Sequence, residues 1–145
     1  MISDLTQHRR EFWRYFAARL PALDSRMTRG NEHSHWLTVG HRPLVIAHYV
    51  ANRSVGLFIR GPARERIGRV REYLFPHRRF LAERLAKPDL RLGNSFLVPA
   101  IHRLDMTDRE NWAQATDWFA VHSPIYEAAF TELQDRNEPW PDDGR

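Results

Sequence analysis

The stretch from His35 to Arg60 constrains the fold of this chain more than any other part of it. It holds three β-rich runs separated by the turn clusters Gly40-His41-Arg42-Pro43 and Ala51-Asn52-Arg53-Ser54. In the middle run, Leu44–Val50, side-chain alternation puts Leu44, Ile46, His48 and Val50 on one face and Val45, Ala47 and Tyr49 on the other. A strand apolar on both faces is expected inside a sheet covered on both sides. Pro43 cannot donate to a ladder and suits a strand start. Two short turns in succession imply an antiparallel meander, because parallel neighbours need a long crossover.

The flanking segments read as helices and one more hairpin. Ser3 or Asp4 can cap a first helix carrying Leu5, Phe12, Trp13, Phe16, Ala17 and Leu20, ending before Pro21. Residues 21–34 read as a loop. Gly61-Pro62 opens a second helix with Ile67, Val70, Leu74, Leu81 and Leu85 on its stripe; Pro76 breaks or kinks it and Pro88 ends it. Leu90–Leu92, Gly93-Asn94 and Phe96–Ile101 read as a second hairpin, with Pro99 marking an edge strand. Thr107 and Glu110 form a capping box before a long stripe of Trp112, Ala115, Phe119, His122, Tyr126, Ala129, Phe130 and Leu133. The rhythm runs through Pro124, which predicts one kinked helix. The expected fold is α+β, in the order α-βββ-α-ββ-α: an antiparallel sheet of about five strands packed by helices. It occupies a single domain over residues 1–136, with a frayed polar tail at 137–145.

Composition narrows the function. With no cysteine among 145 residues, disulfides and Cys-ligated metal centres are excluded, and a reducing compartment fits. No apolar run approaches the roughly 20 residues needed to span a bilayer, so a cytoplasmic protein is expected. The net charge of +4 is unevenly spread. Residues 60–91 carry ten basic against four acidic side chains, a net of +6, and residues 105–145 carry three against ten, a net of −7.

Arg60, Arg64, Arg71, Arg78 and Arg79, interleaved with Tyr73, Phe75 and Phe80, are the candidates for binding phosphates of a nucleic acid. The competing reading is a charged face neutralised by Glu65–Arg69, by Glu83 with Arg79 or Lys87, or by the acidic last helix. Trp112, Trp118, Phe119, Ile125 and Tyr126 span more than one helix face, which marks either a protein interface, self-association included, or a deeply packed helix.

Catalytic signals are thin. His33 and His35, with Glu32 or His41, are weak metal-ligand candidates. His102 and Asp105 resemble an oriented base but have no evident nucleophile, and together with His33 and His35 they carry a third reading, as a hydrolase or nuclease. His48 and His122 either face each other as a pH-sensitive pair or are core histidines, each with one hydrogen bond. The only lysine, Lys87, follows Leu85-Ala86, so the acidic-x-Lys core of a nuclease motif is missing. Gly61-Pro62-Ala63-Arg64 lacks the Lys-Ser/Thr of a phosphate loop. No cofactor is implied.

Several ordered signposts resemble a bacterial family, the domain of unknown function numbered 4268. They are Phe12-Trp13, His35-Trp36-Leu37, Leu57-Phe58-Ile59 ahead of Gly61, Glu83 with Leu85, Asn111-Trp112, Asp117-Trp118-Phe119, and Tyr126 with Phe130, covering residues 8–133. Departures are Leu90-Arg91-Leu92 where a Trp is expected, and Pro76 and Pro124 inside helices. The resemblance implies a module found alone or beside nuclease-like domains in restriction, defence or mobile-element settings, without catalytic residues to carry over. The element order is also similar to that of type III secretion chaperones, which are protein-binding homodimers, a likeness of topology alone. A non-catalytic protein-binding module is the leading expectation, and a nucleic-acid-binding module the alternative.

Overall fold

A computed structural model describes residues 4–31, 33–41, 44–62, 65–93 and 96–136. The order is α1 (Asp4–Arg19), α2 (Pro21–Asp24), β1 (Thr28–Arg29), β2 (Ser34–Val39), β3 (Leu44–Val50), β4 (Ser54–Arg60), α3 (Ile67–Leu74), α4 (Arg78–Arg84), β5 (Leu97–Arg103) and α5 (Trp112–Asp135). The strands form one antiparallel five-stranded sheet in sequence order, β1 to β5. The fold is α+β, as alternation and turn spacing predict. Among the described residues no helix is long and apolar enough to cross a membrane.

One face of the sheet carries the core. Leu37 and Val39 of β2, Leu44, Ile46 and Val50 of β3, Val55, Leu57 and Ile59 of β4, and Leu97 and Ala100 of β5 join a single buried cluster. Phe12 and Phe16 of α1, Val70 and Leu74 of α3, Leu81 of α4, and Trp112, Phe119, Tyr126 and Phe130 of α5 complete it. The α5 stripe passes through buried Ser123 rather than through His122. Fully burying each such apolar side chain is worth about 1.5–3 kcal/mol, which is what makes a 24-residue helix stay on the sheet despite Pro124. The far end of α5 is tied down by Gln134, whose Nε2 donates to the Val39 carbonyl at 3.0 Å. The same amide group lies where a Cβ on Gly40 would fall, and Gly40 has φ +79°, so this turn needs glycine twice over.

Five local expectations are corrected. Residues 21–34 are not all loop: α2 and the two-residue β1 lie there, and β1 pairs with His35 and Trp36 to supply an edge strand. The second hairpin shrinks to β5 and one isolated bridge, Leu92 to Leu97. Val98, at φ +50° beside a register shift at Leu57/Ile59, turns its N–H to the Arg91 carbonyl and leaves no ladder for a partner strand; Asn94 lies outside the described residues. The second helix starts at Ile67, not at Pro62, whose carbonyl instead closes a turn with the Glu65 N–H. It breaks at Pro76 as expected, through a 3-10 turn over Phe75–His77. The capping box is displaced: Asp108 accepts from the Glu110 N–H, while Thr107 donates to Asp105. A carboxylate reaches these amides better placed than the Thr107 hydroxyl, which is why it wins.

The fifth correction positions the site. The expected cover on both faces of β3 is absent among the described residues, because the helical members of the buried cluster all pack on the face just described. Val45 and Ala47 point the other way and lie outside that cluster, yet are only 2% and 0% exposed. Their larger cross-strand neighbours shield them: Thr38 and Arg60 flank Val45, and Trp36 and Phe58 flank Ala47. Two small residues between large ones are buried without a second layer.

Candidate functional site

The helix-free face is built by residues of one parity on four strands: Trp36 on β2, Tyr49 on β3, Phe58 and Arg60 on β4, and Ile101 and Arg103 on β5. Gly56 sits among them because a Cβ there would fall 2.4 Å from both the Ala100 carbonyl and the Tyr49 ring. Tyr49 therefore lies down over β4 and meets Phe58 at 6.1 Å, and Phe58 meets Phe96 edge-on at 5.0 Å. Beside these rings is an apolar cavity of about 380 Å³, which Pro99, Ile101 and His33 also line. Phe96 and Ile101 are 55% and 58% exposed. The guanidinium of Arg60 lies 4.1 Å over the Trp36 ring and donates to the Gly61 carbonyl, and burial works against its charge. A second, more polar cleft of about 650 Å³ runs beside β5, between it and residues 87–91. A third, of about 560 Å³, lies between α1 and β1, lined by Arg10, Arg14, Arg29, Asp24 and His35.

Of the candidate phosphate-binding arginines, Arg60, Arg71 and Arg78 have separate local partners. Arg60 ends a strand and stacks on Trp36. Arg71 donates to the Gly93 carbonyl at 3.1 Å, and Arg78 donates to the Phe75 carbonyl and covers the Phe75 ring. Arg79 is exposed on α4, beyond the break at Pro76. Arg64 lies outside the described residues. The described members of the set lie on three elements, β4, α3 and α4. Acidic α5 neutralises other arginines: Asp117 pairs with Arg19, Glu127 with Arg26, and Glu132 with Arg84 through two bonds of 2.7 and 2.8 Å. Glu65 pairs with Arg69 at 3.4 Å.

Of the proposed interface residues, Trp112, Phe119 and Tyr126 are 3%, 0% and 2% exposed. They face the chain's own sheet, which is the deeply packed alternative. Trp112 donates to the Met106 carbonyl, and the Tyr126 hydroxyl donates to the Val98 carbonyl at 2.7 Å. Burial pushes the Tyr126 phenol up. Trp118 is half-buried, parallel to His102 and 4.4 Å from His122. Ile125 is exposed.

The candidate metal ligands His33 and His35 do not converge. His33 lines the apolar cavity on the helix-free face, whereas His35 stacks on Trp13 at 4.0 Å on the opposite face. The strand begins only at Ser34, so alternation does not extend to His33. Glu32 lies outside the described residues. Among the described residues no group of three or more His, Asp or Glu side chains could hold a metal ion. His102 takes a bond from Gln114, and Asp105 is bound to Thr107. His48 pairs with Ser123, not with His122. Burial lowers His35 and His122.

Sequence reasoning missed Trp36, Tyr49, Phe58 and Phe96 as surface residues. The available signal was Gly56 opposite Tyr49, a glycine inside a strand that marks a close approach. The chain matches no family model, no curated protein and no solved structure.

Proposed function

We propose that this chain is a non-catalytic module that binds a partner protein through the helix-free face of its sheet. One observation carries the reading: Phe96 and Ile101 stand exposed beside half-buried Tyr49 and Phe58, on a face that no described helix covers. Contiguous exposed apolar surface with aromatic members is the usual signature of a protein interface. The rings argue against nucleic acid. Base binding needs open ring faces, and here Arg60 occupies the Trp36 face while Phe58 is met edge-on by Phe96. The resemblance to family 4268 supports an accessory role beside nuclease-like domains in a bacterial cytoplasm, in line with the cysteine-free sequence.

The test is photocrosslinking in the cell that makes the protein, with a benzophenone side chain at position 96, 79 or 125. A discrete protein adduct from position 96, lost on Ile101→Glu and not formed from 79 or 125, is the expected result. A nucleic-acid adduct from position 79, or no adduct from position 96, overturns the reading.

A further inference from the structure

The hydrogen-bond parity of the sheet says which backbone groups of β5 are free. Ala51 N–H donates to the Ser54 carbonyl at 2.9 Å and Leu104 N–H to the Arg53 carbonyl at 3.0 Å. In an antiparallel ladder, bonded and non-bonded pairs alternate. Either bond alone puts Val55 and Leu57 of β4 in bonded pairs with His102 and Ala100 of β5. The N–H and C=O groups of Ile101 and Arg103 therefore point away from β4, and no backbone bond outside the ladder reaches their amides among the described residues. The start of the strand is closed: Val98 N–H goes to the Arg91 carbonyl, the Val98 carbonyl takes the Tyr126 hydroxyl, and Pro99 has no N–H. The open edge is thus Pro99–Arg103.

This edge forms one side of the 650 Å³ cleft, and Lys87, Arg91 and Arg103 line that cleft against a single carboxylate, Asp89. Among the described residues none of these three cations makes an ion pair or a side-chain hydrogen bond, whereas α5 pairs three carboxylates with arginines of the helical layer. The Ile101 side chain projects onto the helix-free face beside Phe96.

We infer that β5 accepts an extended acidic segment of a partner protein as a sixth strand, held by the outward backbone groups of Ile101 and Arg103 and by Lys87, Arg91 and Arg103. This rests on the reading of the adjoining sheet face as a protein-binding surface. Strand addition takes affinity from main-chain bonds and specificity from alternate side chains. A residue opposite Ile101 brings an apolar side chain to the exposed patch, and a neighbour two positions on brings a carboxylate to Arg103. A second copy fits poorly. Two-fold pairing about Ile101 sets the cations of each copy against those of the other and places Pro99, which lacks an amide, opposite Arg103. A nucleic-acid backbone offers no matching alternation of donors and acceptors.

The test is fluorescence anisotropy on the full chain with three labelled probes: a Glu-Val decapeptide of repeating Glu-Glu-Val-Val, which sets Glu and Val two positions apart, its Lys-Val counterpart and a ten-nucleotide oligothymidylate. Amide exchange by NMR is read at Ile101 and Arg103. The Glu-Val peptide is expected to bind, more weakly at higher salt, and to protect both amides. Ile101→Pro, which deletes one outward N–H and no ladder bond, and the double variant Arg91→Glu with Arg103→Glu are each expected to weaken binding about tenfold or more. Equal binding of the Lys-Val peptide, preferential binding of the oligonucleotide, or binding that leaves both amides exchanging freely overturns the inference. So does a homodimer by light scattering that Ile101→Pro dissociates. A position-96 protein crosslink that persists when the peptide fails to bind removes strand addition alone. The absence of any position-96 crosslink in the chain with Ile101 intact removes the sheet-face reading.

Discussion

Acid is expected to loosen this fold through His48. The ring is 0% exposed. The Ile46 carbonyl, 3.1 Å from Nδ1, can only accept, so Nδ1 carries the proton and Nε2 accepts from the Ser123 hydroxyl at 2.8 Å. Burial holds the pKa at about 4 against an ordinary value of 6.5, although the Ile46 carbonyl pulls upward. Between those values the unfolded chain binds a proton that the folded chain refuses, so stability falls as pH falls. The contribution is intact above 6.5 and is lost progressively down to about 4. The whole gap is worth about 3 kcal/mol, of which about 2 kcal/mol disappears between about pH 7 and about pH 5. Urea unfolding at those two pH values measures it. His48→Leu alone strands the buried Ser123 hydroxyl, so the comparison uses His48→Leu with Ser123→Ala, which removes both polar groups. The loss on acidification is expected to be about 2 kcal/mol smaller in the double variant. An unchanged loss refutes the assignment of this pH dependence to His48.

Two further changes test the packing. Tyr126→Phe leaves the Val98 carbonyl without its hydroxyl donor inside the core, and urea unfolding is expected to show a loss of about 1–3 kcal/mol; a change within about 0.3 kcal/mol means that water replaces the bond. Ala86 closes α4 at φ +52°, with Lys87 N–H bonded to the Ala82 carbonyl and Ala86 N–H to the Glu83 carbonyl, a C-cap that favours glycine. Ala86→Gly is expected to raise stability by about 1 kcal/mol, and a lower unfolding midpoint contradicts the strain assigned to this residue.

Residues whose role depends on their neighbours along the chain were legible in advance. Leu44–Val50 alternates and is a strand over those residues. Pro76 breaks the second helix while Pro124 is carried within α5, since the stripe of Phe119, Tyr126 and Phe130 buries enough to hold the helix across it. Pro99 lies on the edge strand of the sheet. The candidate site was not legible. Its rings come from β2, β3, β4 and the approach to β5, and no single strand holds more than one of them. The arginines near the second helix looked contiguous because a single helical count was carried from the strand end at Arg60 across the break at Pro76, and the helical angle holds across neither.

Alternation and turn spacing by themselves determined an antiparallel meander with helices, because period-two burial and short connections admit little else. Tertiary structure alone decided that the described helices gather on one side of it. Val45 and Ala47 are apolar whichever layer they meet, and only the placement of Trp36, Phe58 and Arg60 around them makes a second layer unnecessary. That placement leaves Phe96 and Ile101 exposed on the face without described helices.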